Sequence, residues 1–133
     1  EFGANFVTTM LRLSKEKKKL SIINDQIGIP TYAVALAKCI IEMIQQDSKK
    51  YGIYHYSNEG VASWYDFATA IFEYSKTAIE VVPIPTSMYP TKAVRPKFSV
   101  LATTKVKQHF GVKIPHWRES LLSCLKNFPV PND

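Results

Sequence analysis

Between Ile84 and Leu101 the chain reads IPTSMYPTKAVRPKFSVL, with prolines at 85, 90 and 96. Each proline fixes φ and removes a backbone donor, so this stretch can be neither a helix nor a central strand. It must be a stiffened surface loop, the setting in which binding side chains tend to be presented. Arg95 stands directly before Pro96, which pushes its own backbone towards extended geometry and aims its guanidinium. A planar fork of N–H donors suits a phosphate or a carboxylate. An ordinary surface ion pair is the competing role.

Around that loop, helical and strand patterns alternate. Asn5 is placed to cap a helix whose apolar residues Phe6, Met10 and Leu13 recur at helical spacing as far as the lysines near Lys18. Residues 20–23 read as a short strand. Residues 24–31 enclose Gly28 and Pro30 among polar side chains, a loop that Thr31 is expected to close as the cap of the next helix. That helix, residues 32–46, is strongly amphipathic, with Ala33, Leu36, Ala37, Ile40 and Ile44 on one face. Residues 52–56 alternate and are aromatic, which predicts a strand with His55 in the core. After a turn over 57–60, Ser63 and Asp66 form a capping-box start for a helix over 64–75. Strands are expected over 79–84 and 98–101, and a short helix over 104–110 that Gly111 stops. A last helix begins near His116 and buries Trp117, Leu121 and Leu125 before a proline-rich tail. Helix and strand alternating without internal repeats is an α/β class, and 133 residues suit a single region with its own core.

With 17 basic against 11 acidic residues the net charge is +6, which suits polyanions or phosphorylated small molecules without choosing between them. The densest basic run, Lys15 to Lys19 around Glu16, falls at a helix C-terminus, where cations complement the macrodipole. Glycine occurs only at 3, 28, 52, 60 and 111, so neither Gly-x-Gly-x-x-Gly nor a P-loop can be assembled. No tyrosine has a lysine four residues on, and His55, His109 and His116 form no metal or nucleophile motif. Cys39 and Cys124 sit on apolar helical faces as expected free thiols of a reducing cytosol. No apolar run is long enough for a bilayer, so a soluble, cytoplasmic protein with no membrane partner and no metal is expected. A nucleic-acid partner is not expected, since no strand face interleaves aromatic with basic residues.

What remains is a set of residues at element ends. Asn5 stands at a helix N-terminus, where backbone donors and the dipole attract anions. Gln26, Pro30 and Thr31 belong to the Gly-Pro turn, and Arg95 adds a cation. Plainer roles exist for each: Asn5 as a cap only, Gln26 as an exposed loop amide. Tyr32, Trp64, Tyr65 and Trp117 read as core aromatics rather than stacking platforms.

The segments NFVTTMLRL (5–13), NDQIGIPTY (24–32), GIYHYSNEGVASWYDFA (52–68), RPKFSVL (95–101) and IPHWRESL (114–121) together resemble the dTDP-4-dehydrorhamnose reductases. The resemblance covers almost the whole chain, but only the C-terminal part of such an extended short-chain dehydrogenase. It implies an N-terminal Rossmann domain upstream of Glu1 that binds NADPH or NADH and carries a Tyr-x-x-x-Lys pair. This chain would then be the substrate-binding region, with no catalytic residue and no bound cofactor, inactive alone. A first residue of Glu rather than Met fits a fragment. By the same resemblance Asn5 lies near the substrate pyrophosphate, Arg95 contacts the nucleotide-sugar, and Gln26, Pro30 and Thr31 border the cleft. The implied partners are a dTDP-sugar, the enzyme's own Rossmann domain and, through an unpaired strand over 52–56, a second copy. A non-catalytic binding or regulatory subunit of the same fold is the alternative, and would lack the upstream tyrosine and lysine. The chain departs from the family at Ala35 and Ala102, where aspartates are usual; each loss is expected to cost about 1 kcal/mol as a missing cap or anchor.

Overall fold

The computed structural model describes residues 5–89 and 91–127; Pro90 and the proline-rich tail over 128–133 lie outside them. The chain divides into two compact units, residues 1–28 with 62–99 and residues 29–61 with 100–133.

The first unit is α/β. It holds α1 (Phe6–Glu16), β1 (Lys19–Ile23), β2 (Ile27–Gly28) and β3 (Ala62–Ser63). After α2 (Ala33–Gln45), which belongs to the second unit, come α3 (Trp64–Tyr74) and β4 (Glu80–Ile84) of the first. Asn5 caps α1: its backbone is extended, its Oδ1 accepts the Thr8 amide at 2.9 Å, and the Thr8 hydroxyl accepts the Asn5 amide at 3.0 Å. Ser63 and Asp66 make the equivalent reciprocal pair at the start of α3. Both ends satisfy donors that a helix otherwise leaves without partners. β1 and β4 pair in parallel, with Lys19 opposite Glu80 and Ile23 opposite Ile84, and β2 pairs antiparallel with β3. Pro83 is tolerated in β4 because a two-stranded sheet has only edges. Helix α3 is the centre of the unit. Its Ala68, Ala70, Ile71 and Phe72 are buried, and it packs on α1, β1 and β4, where Met10, Leu20 and Ile84 complete the core.

The strand expected over 98–101 does not form. Phe98 makes one isolated parallel bridge to Ile27 and remains 67% exposed. Its template, β2, is only two residues long, so no longer ladder can grow on it.

The second unit is helical: α2, α4 (Thr104–Phe110) and α5 (Trp117–Lys126). Cys39, Val106, Phe110 and Val112 form its core, with Met43, Tyr54, Tyr56 and Ile114 packed against them. Helix α4 ends on Gly111 at φ +66°, the left-handed stop that glycine favours. Cys124 is half-buried, whereas Cys39 is buried.

Three expectations fail in this unit. The N-cap of α2 is Tyr32, while the Thr31 hydroxyl instead donates to the Ile29 carbonyl at 3.2 Å. Residues 52–56 form no strand, because the described residues of the unit contain no strand to pair with them. Their side chains still alternate, Tyr54 and Tyr56 towards the core and Ile53 and His55 exposed, so His55 is not a core residue. In addition, the apolar face of α2 is uncovered among the described residues: Leu36, Ile40 and Ile44 are 36%, 47% and 72% exposed. Periodicity states which residues share a face, not whether anything covers it. Neither α2 nor α4 has a side-chain cap, and Ala35 and Ala102 stand in the first turn of the one and just before the cap of the other.

Candidate functional site

β1 delivers the chain into three consecutive residues that hold both feet of the proline loop. Asp25 Oδ1 accepts the Thr86 amide at 2.8 Å and the Thr86 hydroxyl at 2.6 Å. Gln26 Nε2 donates to Thr86 Oγ1 at 3.1 Å, and Gln26 Oε1 accepts the Trp64 indole N–H at 3.2 Å. The Ile27 amide donates to the Lys97 carbonyl at 2.8 Å, and the Ser99 amide returns to the Ile27 carbonyl at 2.9 Å. Between these feet runs a short 3₁₀ turn, Thr86–Met88, followed by a loop in which every described residue from Ser87 to Ser99 is exposed.

Arg95 lies on that loop and makes no hydrogen bond or ion pair among the described residues. Asn5 uses its Oδ1 for the cap, while its Nδ2 has no hydrogen-bond partner among the described residues. The next residue, Phe6, places its ring 4.8 Å from the Trp64 ring and 5.4 Å from Phe67. The start of α1 is therefore braced on Trp64, and Trp64 is held by Gln26. Hydrogen bonds and one ring contact thus join Gln26, the α1 start and the foot of the Arg95 loop. Pro30, half-buried, and Thr31, exposed, belong to the second unit and are not members of that network.

Two side chains depart from their expected setting. Gln26 is only 6% exposed, with both ends of its amide engaged, so it is not an exposed loop amide. Trp64 is 36% exposed at the surface of the unit rather than a core aromatic. No local pattern marks Asp25 and Thr86, because their partnership spans 61 residues. The one local hint is a threonine directly after Pro85, where a turn start needs a side-chain or carboxylate acceptor.

The Asp25 carboxyl is held below its ordinary range, chiefly by the Thr86 hydroxyl, against partial desolvation, with the Thr86 amide and the Lys97 charge acting in the same sense as the hydroxyl. It is thus ionised at neutral pH, and both donors of Thr86 are spent on it.

In the second unit a cavity of about 240 Å³ is lined by residues that include Tyr32, Lys38, Cys39, Tyr56, Lys113 and Ser120. Burial and then the Glu42 charge push the Cys39 thiol up, and burial, followed by Cys39 and Glu42, raises the Tyr56 hydroxyl. Both keep their protons, so neither is an activated nucleophile. Among the described residues no three His, Cys, Asp or Glu side chains are grouped to hold a metal, and no helix is long and apolar enough to cross a membrane.

Residues 1–130 match the family described as the RmlD substrate binding domain. The chain is 44% identical over 131 residues to the dTDP-4-dehydrorhamnose reductase of Aggregatibacter actinomycetemcomitans, covering 91% of this chain and 45% of that protein. It is 43% identical over 124 residues to the spore coat polysaccharide biosynthesis protein SpsK of Bacillus subtilis, covering 93% of this chain and 42% of that one. Among solved structures, a dTDP-4-dehydrorhamnose reductase from Bacillus anthracis in complex with NADP superimposes with a TM-score of 0.87 at 36% identity, over 96% of this chain and 45% of the other. The chain spans less than half the length of these relatives.

Proposed function

The chain belongs to the RmlD substrate-binding-domain family, and on that premise we propose that it supplies the nucleotide-sugar side of an NADPH-dependent reductase acting on dTDP-4-dehydro-L-rhamnose. The observation that carries this reading is Arg95: an arginine without a partner among the described residues, on an exposed, proline-stiffened loop tied into the same network as the capped start of α1. Its guanidinium meets the diphosphate of the substrate, and the Nδ2 donors of Asn5 meet the same group from the helix end. Gln26 contributes as the wall behind them, since both ends of its amide are already occupied. Pro30 and Thr31 belong to the second unit and are not assigned to this site.

The residues present do not fit a nicotinamide dinucleotide. Such a cofactor needs a glycine-rich turn after a strand for its pyrophosphate, and the turn after β1 carries the Asp25 carboxylate instead. The hydride and the proton that completes the alcohol are therefore not assigned to this chain. Its contribution is to hold the nucleotide diphosphate so that the sugar carbonyl is presented in one orientation.

Titrating the chain with dTDP tests the reading. Saturable binding is expected, and Arg95→Ala should weaken it about ten- to a hundredfold, the worth of one desolvated charge-assisted contact. Equal affinity of both forms removes Arg95 from the site. Mixed with NADPH and dTDP-4-dehydro-L-rhamnose, the chain alone is expected to leave NADPH absorbance constant. Turnover there would mean that the missing groups are present after all.

A further inference from the structure

We propose that Asp25, Gln26 and Ile27 act as a clasp that orders the described residues between Thr86 and Ser99, making Asp25 a positioning residue for Arg95. The second half of this rests on the site reading above.

The loop has little else to hold it. Its described residues from Ser87 to Ser99 are all exposed, and among the described residues between its feet the hydrogen bonds are those of the 3₁₀ turn, Met88 to Pro85 and Tyr89 to Thr86, and one from the Thr91 hydroxyl to the Ala93 carbonyl. A surface loop of this length whose ends are close is of a class that is frequently functional, but this one has its side chains exposed rather than packed on one another. Here the two feet differ chemically. The far foot is chiefly backbone: Ile27 exchanges main-chain hydrogen bonds with Lys97 and Ser99, which no side-chain change removes, and the Ser99 hydroxyl adds a longer one to the Ile27 carbonyl at 3.3 Å. The near foot is side chain: the Asp25 carboxylate and the Gln26 amide both close on Thr86. Order in the loop can therefore be lost at the near foot alone.

A direct role for Asp25 in binding is disfavoured by its charge, since a carboxylate facing a diphosphate repels it. With the Thr86 amide and hydroxyl on one oxygen, and Lys97 close enough for its charge to be felt, that negative charge is spent inside the loop base. Gln26 also holds Trp64, on which Phe6 rests, so that one side chain connects the clasp to the α1 start.

The test uses amide hydrogen exchange by NMR together with dTDP titration, on the whole chain and on Asp25→Ala, Thr86→Val, Arg95→Ala and the Asp25→Ala/Arg95→Ala double variant. Asp25→Ala is expected to speed exchange at the Thr86, Met88 and Tyr89 amides about tenfold or more, with β1 and β4 amides changing less than about threefold. Its dTDP affinity should fall about five- to tenfold, and that loss should vanish once Arg95 is alanine, as coupled residues require. Unchanged exchange in Asp25→Ala overturns the clasp. An equal affinity loss with and without Arg95 overturns the positioning role. If Asp25→Ala does not fold, Thr86→Val, which keeps the bulk and removes the hydroxyl, decides by the same exchange readout. Absence of dTDP binding by the unaltered chain defeats the site reading and with it the positioning role, and exchange then decides the clasp alone.

Discussion

Asn58→Ala is expected to destabilise the second unit by about 3–5 kcal/mol, the largest effect of any single change considered. Asn58 is 1% exposed and uses both ends of its amide. Its Oδ1 accepts the amide of Tyr32, the cap of α2, at 2.9 Å; its Nδ2 donates to the Pro115 carbonyl at 2.9 Å and to Ser120 Oγ on α5 at 2.7 Å. Truncation leaves one donor and two acceptors short in a buried place, each worth about 1–3 kcal/mol when unsatisfied. The share of Pro115 is smallest, because its carbonyl also accepts the Glu59 amide at 3.0 Å. Urea unfolding followed by circular dichroism measures the loss. A change below about 1 kcal/mol would mean that water replaces all three bonds, and that the side chain does not join α2 to α5.

Gly60→Ala is expected to follow at about 2–4 kcal/mol, from two separable causes. Gly60 has φ +84°, where an L side chain is strained by roughly 1–2 kcal/mol. A Cβ there would also stand 2.2 Å from His116 Nε2 and 2.7 Å from its Cδ2. The ring cannot swing aside freely. His116 caps α5, its Nδ1 accepting the Arg118 amide at 3.2 Å, and the adjoining backbone is bridged to Glu59, which accepts the Trp117 amide at 3.0 Å. Giving up that cap costs about 1 kcal/mol more. Gly111→Ala is the control, since φ there is +66° but nothing lies within 4 Å of the added carbon. Thermal unfolding of the two variants should separate clash from strain, and equal losses would show that the His116 contact carries no cost.

The features legible in the sequence are those whose partners are close along the chain. The Asn5 cap, the Ser63–Asp66 capping box and the Gly111 stop all close within four residues, so residue type and spacing were enough. Long-range partners were not legible. Thr31 was a reasonable cap for α2, but the Tyr32 amide is taken by Asn58, 26 residues away, and the helix begins there without a hydroxyl. Gln26 reads as a loop amide from its neighbours for the same reason, its partners lying 38 and 60 residues on. The alternation over 52–56 marked an extended segment correctly in its side chains, yet a strand also needs a neighbour, which periodicity does not supply. The exposed face of α2 is the same lesson for a helix. At the candidate site, the prolines and Arg95 pointed to a stiff, exposed loop, whereas the clasp beneath it depends on a contact between β1's end and β4's end that no local pattern carries.

The central claim, that the Arg95 loop and the start of α1 form the diphosphate site, is tested most directly by two-dimensional amide NMR of the chain during a dTDP titration. The result expected is a single saturable set of shifts at residues 5–8, at Thr86 to Tyr89 and at Arg95. Saturable shifts confined to Lys38, Cys39 and Lys113 around the cavity of the second unit, with Asn5 and Arg95 unmoved, would contradict it.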